Sequence, residues 1–554
     1  MPYDGLVTRK IKEELEEKLI YAKVDKIIQP TKDELILSFR AQKETLRLLL
    51  SANAETARTH LTKYSLYKNP AKPFNFCMIL RKYLSGAKLL HISQPNNDRI
   101  LAFSFENSNE LGDKENRTLL IEMMGKYSNI ILLNASDTII DSLKHVDFEI
   151  SRVREVMPGR KYTLPLNAEK KDPFAVTNQE YTSLLAKHQE NFLATAFIGI
   201  CTPAAKYFTE STDSSYSAFS QFIHQKTQAM VFTKNGQPHD FYFCACPVLG
   251  ISAQPTTTLS EAIDEVYRHK ITQKQLLSAK NSLSENVSHL IAKTKKKLDI
   301  IDSKLETTKD MEELKIKGEL LSANLYQIKP YTAEVKVCDY YHANSELNIA
   351  LDPNLSPSQN VQKIFKKYNK LKNTVTACSA QKEELTSDLA YYESLLFEIQ
   401  NQEYIEDLEE IKEELLAQKL IHSQKTEKKT TQKNYLTYTY ENFEILVGKN
   451  NLQNDQLTFK IAHKNDLWFH VKNAPGSHTI LRTNAQDVSR ETLEFAASLA
   501  ASHSKLKNSP KVEVDYTEIK NVKKIPGAKP GMVIYVNYKT IYIAPNDHSS
   551  SFQG

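Results

Sequence analysis

Between about Ser358 and Gln400 the apolar residues Ile364, Tyr368, Leu371, Val375, Cys378, Leu385, Leu389, Tyr392, Leu396 and Ile399 recur in steps of three and four, interrupted by Lys382. That spacing is a coiled-coil seam. At about 1.5 Å per residue it predicts a helix on the order of 60 Å long. An apolar seam of that length is unfavourable in water, so the helix needs a partner. Upstream, between Ile271 and Glu306, Leu283, Val287, Leu290 and Thr294 continue after a one-residue slip as Leu298, Ile301 and Leu305. Strand-like runs at Ala333–Asp339 and Leu347–Leu351, closed by Asp352-Pro353-Asn354-Leu355-Ser356-Pro357, predict a small cap between the two arms. The expected object over 271–422 is an antiparallel coiled-coil arm with a middle subdomain. The same heptads would also serve a dimerisation rod, but a chain that leaves one globular region and enters another favours the intramolecular hairpin.

Length and charge narrow the rest. A chain of 554 residues is expected to hold about three to five domains, and 41% hydrophobic residues supply ordinary cores. Lysine and arginine total 72 against 67 acidic residues, a formal charge of +5, so nucleic acid would be held by local patches. Of the six cysteines only Cys244 and Cys246 are close, and no second pair completes a tetrahedral zinc site. They read as reduced thiols, and neither a metal nor a cofactor is expected. No G-x-x-x-x-G-K-S/T loop is present for a nucleotide. The first residues, Met1-Pro2-Tyr3-Asp4-Gly5, carry no apolar signal core, and no run approaches the roughly 20 apolar residues that span a bilayer. The expectation is a cytoplasmic protein with no membrane partner.

Residues 1–172 read as mixed α/β. An amphipathic helix (Val7–Leu19) leads into strands at Lys23–Ile28, Glu34–Phe39 and Arg47–Ser51, with a further pair at Ile100–Phe105 and Leu119–Met123. The turn Pro95-Asn96-Asn97-Asp98-Arg99 sets an acid and a base side by side just before a strand, and Glu122 to Asn129 forms a second polar turn containing Lys126. Either turn fits contact with a phosphate, and either fits ordinary surface chemistry. Residues 173–270 change character: helical pieces (Gln179–Lys187, Glu190–Phe197, Ser215–Thr227) flank Ile198-Gly199-Ile200-Cys201, which resembles the glycine hairpin of helix-hairpin-helix modules, and Met230–Pro247 reads as a hairpin around Asn235-Gly236. A plain helical corner is the alternative for the first of these.

After the arm come a charged helix (Tyr404–Ile421) and a polar Lys/Thr linker, Ser423–Lys433. The last domain, 434–554, holds the densest polar signal: Gly448-Lys449-Asn450-Asn451, Asp466-Leu467-Trp468-Phe469-His470, Pro475-Gly476-Ser477-His478, and a basic stretch in which Lys520, Lys523, Lys524, Lys529 and Lys539 interleave with aromatic, proline and glycine residues. Lysines screening phosphates beside stacking aromatics fit an RNA-binding surface. Trp468 fits a core position better than a stacking platform, and His470 and His478 lack a third ligand at zinc spacing.

These motifs, in this order and over nearly the whole chain, resemble the NFACT family, and among it the bacterial ribosome quality-control members also described in Gram-positive bacteria as fibronectin-binding proteins. The resemblance is carried by Phe76-Cys77-Met78-Ile79-Leu80-Arg81-Lys82, Asn97-Asp98-Arg99, Met124-Gly125-Lys126-Tyr127-Ser128-Asn129-Ile130, Lys317-Gly318-Glu319-Leu320-Leu321, Leu351-Asp352-Pro353, and Gly527-Ala528-Lys529-Pro530-Gly531 together with the Trp468 and His478 motifs. It implies an α+β multidomain fold: a domain similar to formamidopyrimidine-DNA glycosylases, a helix-hairpin-helix module, the coiled-coil arm and an RNA-binding C-terminal domain. It also implies a factor that binds the large ribosomal subunit and its rRNA while peptidyl-tRNA is still held there, and recruits alanyl-tRNA so that untemplated alanines mark the stalled chain for degradation. Asp98 and Arg99 map onto the pair required for tRNA recruitment, and Glu122 in the neighbouring motif is a further candidate. Peptide transfer would stay with the ribosome, so no catalytic residue is assigned.

Two departures stand out, Pro2 where serine or alanine is usual and Tyr127 where histidine is common. Pro2 raises a rival, a base-excision glycosylase using an N-terminal proline amine. The acid expected after it is Tyr3, and no four-cysteine finger follows. A second rival is a surface adhesin binding fibronectin, for which no sorting or anchor motif is visible.

Overall fold

The computed structural model describes residues 3–548 except 42–43, 65–66, 68, 109–112, 166–169, 188–190, 247–251, 343–344, 423–434, 484–485 and 525. Pro2 of the glycosylase reading and the Ser423–Lys433 linker lie outside these residues, as do Glu190 and Pro247, which bounded an expected helix and hairpin. The chain divides into two compact units, Met1–Gln273 and Lys274–Gly554. No described helix is long and apolar enough to cross a membrane.

The first unit is built on a nine-stranded antiparallel sheet of β1 (Lys23–Thr31), β2 (Glu34–Ala41), β3 (Glu44–Ser51), β4 (Arg58–Leu61), β5 (Lys88–Ser93), β6 (Ile100–Ser108), β7 (Lys114–Glu122), β8 (Asn129–Asn134) and β9 (Ile139–Ser142). Their spatial order is β4-β3-β2-β1-β5-β6-β7-β8-β9. Where both faces are covered, strands β6 to β8 are apolar, at Ile100–Phe103, Leu119–Ile121 and Ile130–Leu133. Leu101, Phe103, Leu119, Ile121, Ile130 and Leu132 enter the main core, while Ile100, Ala102, Leu120, Ile131 and Leu133 face a second cluster with Val156. The N-terminal helix Gly5–Leu19 lays Val7, Ile11, Leu15 and Leu19 into the main core, an i, i+4 stripe. Asp4 caps it, accepting from the Val7 N–H at 2.9 Å.

Antiparallel order brings the turns after β5, β7 and β9 to one end of the sheet. The sheet also curls enough that Lys144, just past β9, donates to the Ala52 carbonyl, just past β3, at 2.6 Å. The same unit clasps the first turns of the helix Leu259–Glu306. Asp264 accepts from Thr62 at 2.8 Å and lies 2.9 Å from the buried His60 ring, and Arg58 stacks over Tyr267 at 4.7 Å.

In the second unit the arm is an antiparallel pair, the later turns of Leu259–Glu306 against Pro357–Asn401. Leu276, Leu283 and Val287 meet Tyr391, Tyr392, Leu395 and Ile399 at one end, and Ile301 meets Cys378 and Leu385 at the other. Lys382, the break in the seam, is explained by its partner: its Nζ lies 2.7 Å from Asp302 Oδ1 on the facing helix. The second helix starts on a Ser356/Gln359 capping box with Pro357 at its first position. The cap consists of the helix Met311–Ala323 and the strand pair Glu334–Asp339 and Ser345–Ala350. Gly318 sits where any Cβ would come within 3.0 Å of the Phe365 ring.

The C-terminal module is a six-stranded sheet in the order Leu436–Tyr440, Phe443–Val447, Thr479–Arg482, Leu467–Val471, Val512–Glu518, Lys539–Ile543. The helix Arg490–Ser502, which the sequence reading did not include, covers one face. Trp468 is fully buried in the opposite face with Leu457 and Ile480, so it is a core residue. His478 is buried beside it, 2.7 Å from the Thr458 hydroxyl.

Candidate RNA-binding site

The turn before β6 is clamped from several sides. Asn96 and Asn97 both take left-handed backbone angles (φ 53° and 52°), which asparagine tolerates better than most residues. Gln94 Nε2 donates to the Gly5 and Asp98 carbonyls at 2.9 and 2.8 Å. Asn97 accepts from Arg9 at 2.9 Å and donates to Asp172 at 2.7 Å. Gly5 and Gly199 complete the clamp: a Cβ on either would fall 2.5 or 2.7 Å from the Asn97 carbonyl oxygen. The corner at Gly199 thus packs on the start of the N-terminal helix, its carbonyl accepting the Gly5 N–H at 2.8 Å, while the Cys201 N–H donates to Asp4 at 3.2 Å.

Within this frame Asp98 is only 6% exposed and its Oδ1 accepts the Arg99 N–H at 2.7 Å. Arg99 is half-buried, and its carbonyl accepts the Met123 N–H at 2.8 Å. Its guanidinium makes no hydrogen bond or ion pair with a described residue. The ladder sets Ile100 opposite Glu122, so the turn with Lys126 lies beside Arg99. Lys126 is exposed, 4.9 Å over the ring of Tyr127, which is itself 69% exposed. Two cations and an aromatic ring therefore converge at one end of the sheet, a surface suited to phosphate and base contact.

Glu122 is different. It is 1% exposed, on the same face as Leu120, and Arg154 Nη2 lies 2.8 and 2.7 Å from its two oxygens. The Tyr162 hydroxyl donates to Oε1 at 2.8 Å. Burial, and then the Glu122 charge, push the Tyr162 hydroxyl far above its ordinary range, so it stays protonated and donating. Glu122 thus shapes the turn from inside. Arg154 and Tyr162 were not found from the sequence, although an acid at an inward strand position implied a buried donor nearby.

The C-terminal lysines are mostly engaged. Lys520 pairs with Glu518 and Lys524 with Asp455. Lys529 lies 2.6 Å from Asp388 on the second arm helix and about 5 Å over Tyr391 and Tyr392 (5.1 and 4.9 Å). Asp455 also accepts the Gly531 N–H at 2.9 Å, which fastens the Gly527–Gly531 turn to the helix Asn451–Gln456. Lys523 is exposed and makes no ion pair with a described residue. Lys539 is likewise exposed and makes no ion pair with a described residue, so these two members of the strip keep their charge unspent. Lys523→Ala should therefore lower the slope of log affinity against log salt by about 0.7–0.9 for RNA, whereas Lys529→Ala should act by loosening the turn; salt titrations of RNA binding distinguish the two.

The family described as NFACT N-terminal and middle domains matches residues 4–434, and the NFACT protein RNA binding domain matches residues 433–537. A Streptococcus pneumoniae protein named "Rqc2 homolog RqcH" is 36% identical over 99% of this chain and 98% of its own. A Bacillus subtilis protein of the same name is 34% identical over the same shares, 99% and 98%. The solved N-terminal part of a Streptococcus suis protein titled fibronectin/fibrinogen-binding aligns with 48% of this chain and 98% of its own at 32% identity and a TM-score of 0.45, too loose a superposition to bear on binding. With both family domains matched in order and full-length relatives above 30% identity, the chain belongs to the NFACT family.

Proposed function

We propose that this protein is a ribosome quality-control factor that recruits tRNA to stalled large ribosomal subunits. The observation that carries the reading is the end-to-end match to proteins named as Rqc2 homologues, joined to an N-terminal site where the Arg99 guanidinium, unengaged by any described residue, stands on a clamped turn. In this reading the large subunit still holds peptidyl-tRNA, the protein brings alanyl-tRNA, and untemplated alanines extend the stalled chain while peptide transfer remains at the ribosomal centre. Arg99 takes a phosphate or base edge through its fork, Lys126 screens the neighbouring phosphate, and Asp98 and Glu122 hold the two turns in place. The finer architecture that goes with it is a glycosylase-like domain over 1–172, a helix-hairpin-helix module over 173–270, the arm over 271–422 and the RNA-binding domain over 434–554. The test is to capture tagged protein from cells and sequence the bound RNA. Large-subunit rRNA with one dominant alanine-accepting tRNA is expected, and recovery of neither above background overturns the reading.

A further inference from the structure

A cavity of about 680 Å³ opens where the C-terminal end of the second arm helix meets the helix Ile405–Ala417 and the six-stranded sheet. Four carboxylates line it, Glu398, Glu403, Asp407 and Asp547, against two lysines, Lys449 and Lys507. Both lysines are engaged: Lys449 Nζ is 3.4 Å from each Asp407 oxygen, and Lys507 Nζ donates to Asn401 at 2.7 Å. His503, which also lines the cavity, is pushed down to about 4 by burial and adds no charge at neutral pH. Two helices end in the wall, at Asn401 and Ser502, and helix C-termini favour cations. The rings of Tyr404 and Tyr438 also line it, with Lys449 Nζ 6.0 Å over the Tyr404 ring.

The decisive group is Glu398. It is 6% exposed, and its Oε2 has no hydrogen-bond partner among the described residues. A buried carboxyl oxygen without a donor, in the wall of a cavity, is costly unless something enters to satisfy it. We propose that this cavity binds a primary-ammonium ligand, either a free polyamine or a lysine side chain of a partner protein, with Glu398 as its counter-ion.

The surroundings of Glu398 determine how binding would proceed. Glu414 faces it from the helix Ile405–Ala417, accepting from Tyr391 at 2.6 Å, and its own Oε2 also has no partner among the described residues. Glu410 on the same helix is satisfied by Asn450 and Gln453, both at 2.8 Å, Asp407 by Lys449, and Asp455 by Lys524. Burial, and then the Glu414 charge, push Glu398 well above the carboxylate range; burial pushes Glu414 up to about 7. Burial and the facing Glu414 carboxylate therefore favour the protonated form of Glu398 in the empty cavity. Binding converts the neutral acid to a carboxylate facing the ammonium and releases that proton to solvent, so affinity rises with pH on the alkaline side of neutrality.

The test is calorimetric titration of the full chain with spermidine and, separately, with a lysine-rich peptide, each in two buffers of different ionisation enthalpy. Saturable binding with net proton release is expected from one probe. Glu398→Gln, isosteric with the neutral acid and expected to melt like the wild type, should abolish the proton release and weaken binding by about tenfold or more. Preference for spermidine identifies a free polyamine, and preference for the peptide a partner's lysine. No binding by either probe, binding without proton release, or binding that Glu398→Gln leaves unchanged overturns the proposal.

Discussion

Arg99→Ala is expected to sediment with large ribosomal subunits as the wild type does, yet lose tRNA and fail to extend stalled chains with alanine. The guanidinium has no described partner to strand, so its removal should change stability by less than about 1 kcal/mol. If it forks onto a phosphate or base edge, two charge-assisted hydrogen bonds at about 1.5–3 kcal/mol each are lost, on the order of 100-fold or more in tRNA affinity. Arg99→Lys keeps the charge without the fork and should recover only part of the activity. Asp98→Ala is the less clean probe, because its carboxylate accepts the Arg99 N–H inside the turn; the double variant should lose tailing but also melt earlier. Wild-type tailing by Arg99→Ala would remove the residue from the site, and loss of subunit binding as well would make it a docking residue.

Glu122→Ala should have the largest effect on stability. Arg154 is 16% exposed at its side chain and Glu122 2%, so removing the acid leaves a buried guanidinium without its counter-ion and Tyr162 without its acceptor. Breaking such a pair from one side costs about 3–5 kcal/mol, whereas replacing both partners with apolar residues of similar volume is nearly neutral. The expected series in thermal melting is therefore a large drop for Glu122→Ala and substantial recovery in Glu122→Leu combined with Arg154→Met. A small drop for the single change would show that the pair is solvated and that Glu122 is available to a ligand after all. The single variant should also impair tRNA recruitment, since Glu122 pairs in the ladder with the residue next to Arg99.

Local pattern determined the elements. The second arm helix was expected at Ser358–Gln400 and runs Pro357–Asn401, because a three-four repeat of apolar residues is a property of adjacent turns and needs no knowledge of what lies opposite. The cap strands and the Asn235-Gly236 hairpin were legible for the same reason: turn chemistry and alternation act over a few residues. Asp98 and Arg99 were singled out by motif, and the structure supplies a physical setting for them that sequence could not, since the turn is held by Gly5, Gln94, Asp172 and Gly199.

What only the tertiary structure decided is which charges are left over for a partner. From the sequence, Glu122 was a candidate through its family motif and the C-terminal lysines through their clustering. In the fold, Glu122 is taken by Arg154 32 residues away, Lys524 pairs with Asp455 69 residues away, and Lys529 reaches Asp388 across 141 residues. Pairing of this kind depends on burial and on contacts between distant segments, neither of which leaves a period in the sequence. The break in the arm seam at Lys382 shows the same division: the sequence located it, and Asp302 on the opposite helix explains it. Arg99, Lys126, Lys523 and Lys539 are left as binding candidates because, once every long-range pair has formed, no described residue places a counter-charge beside them.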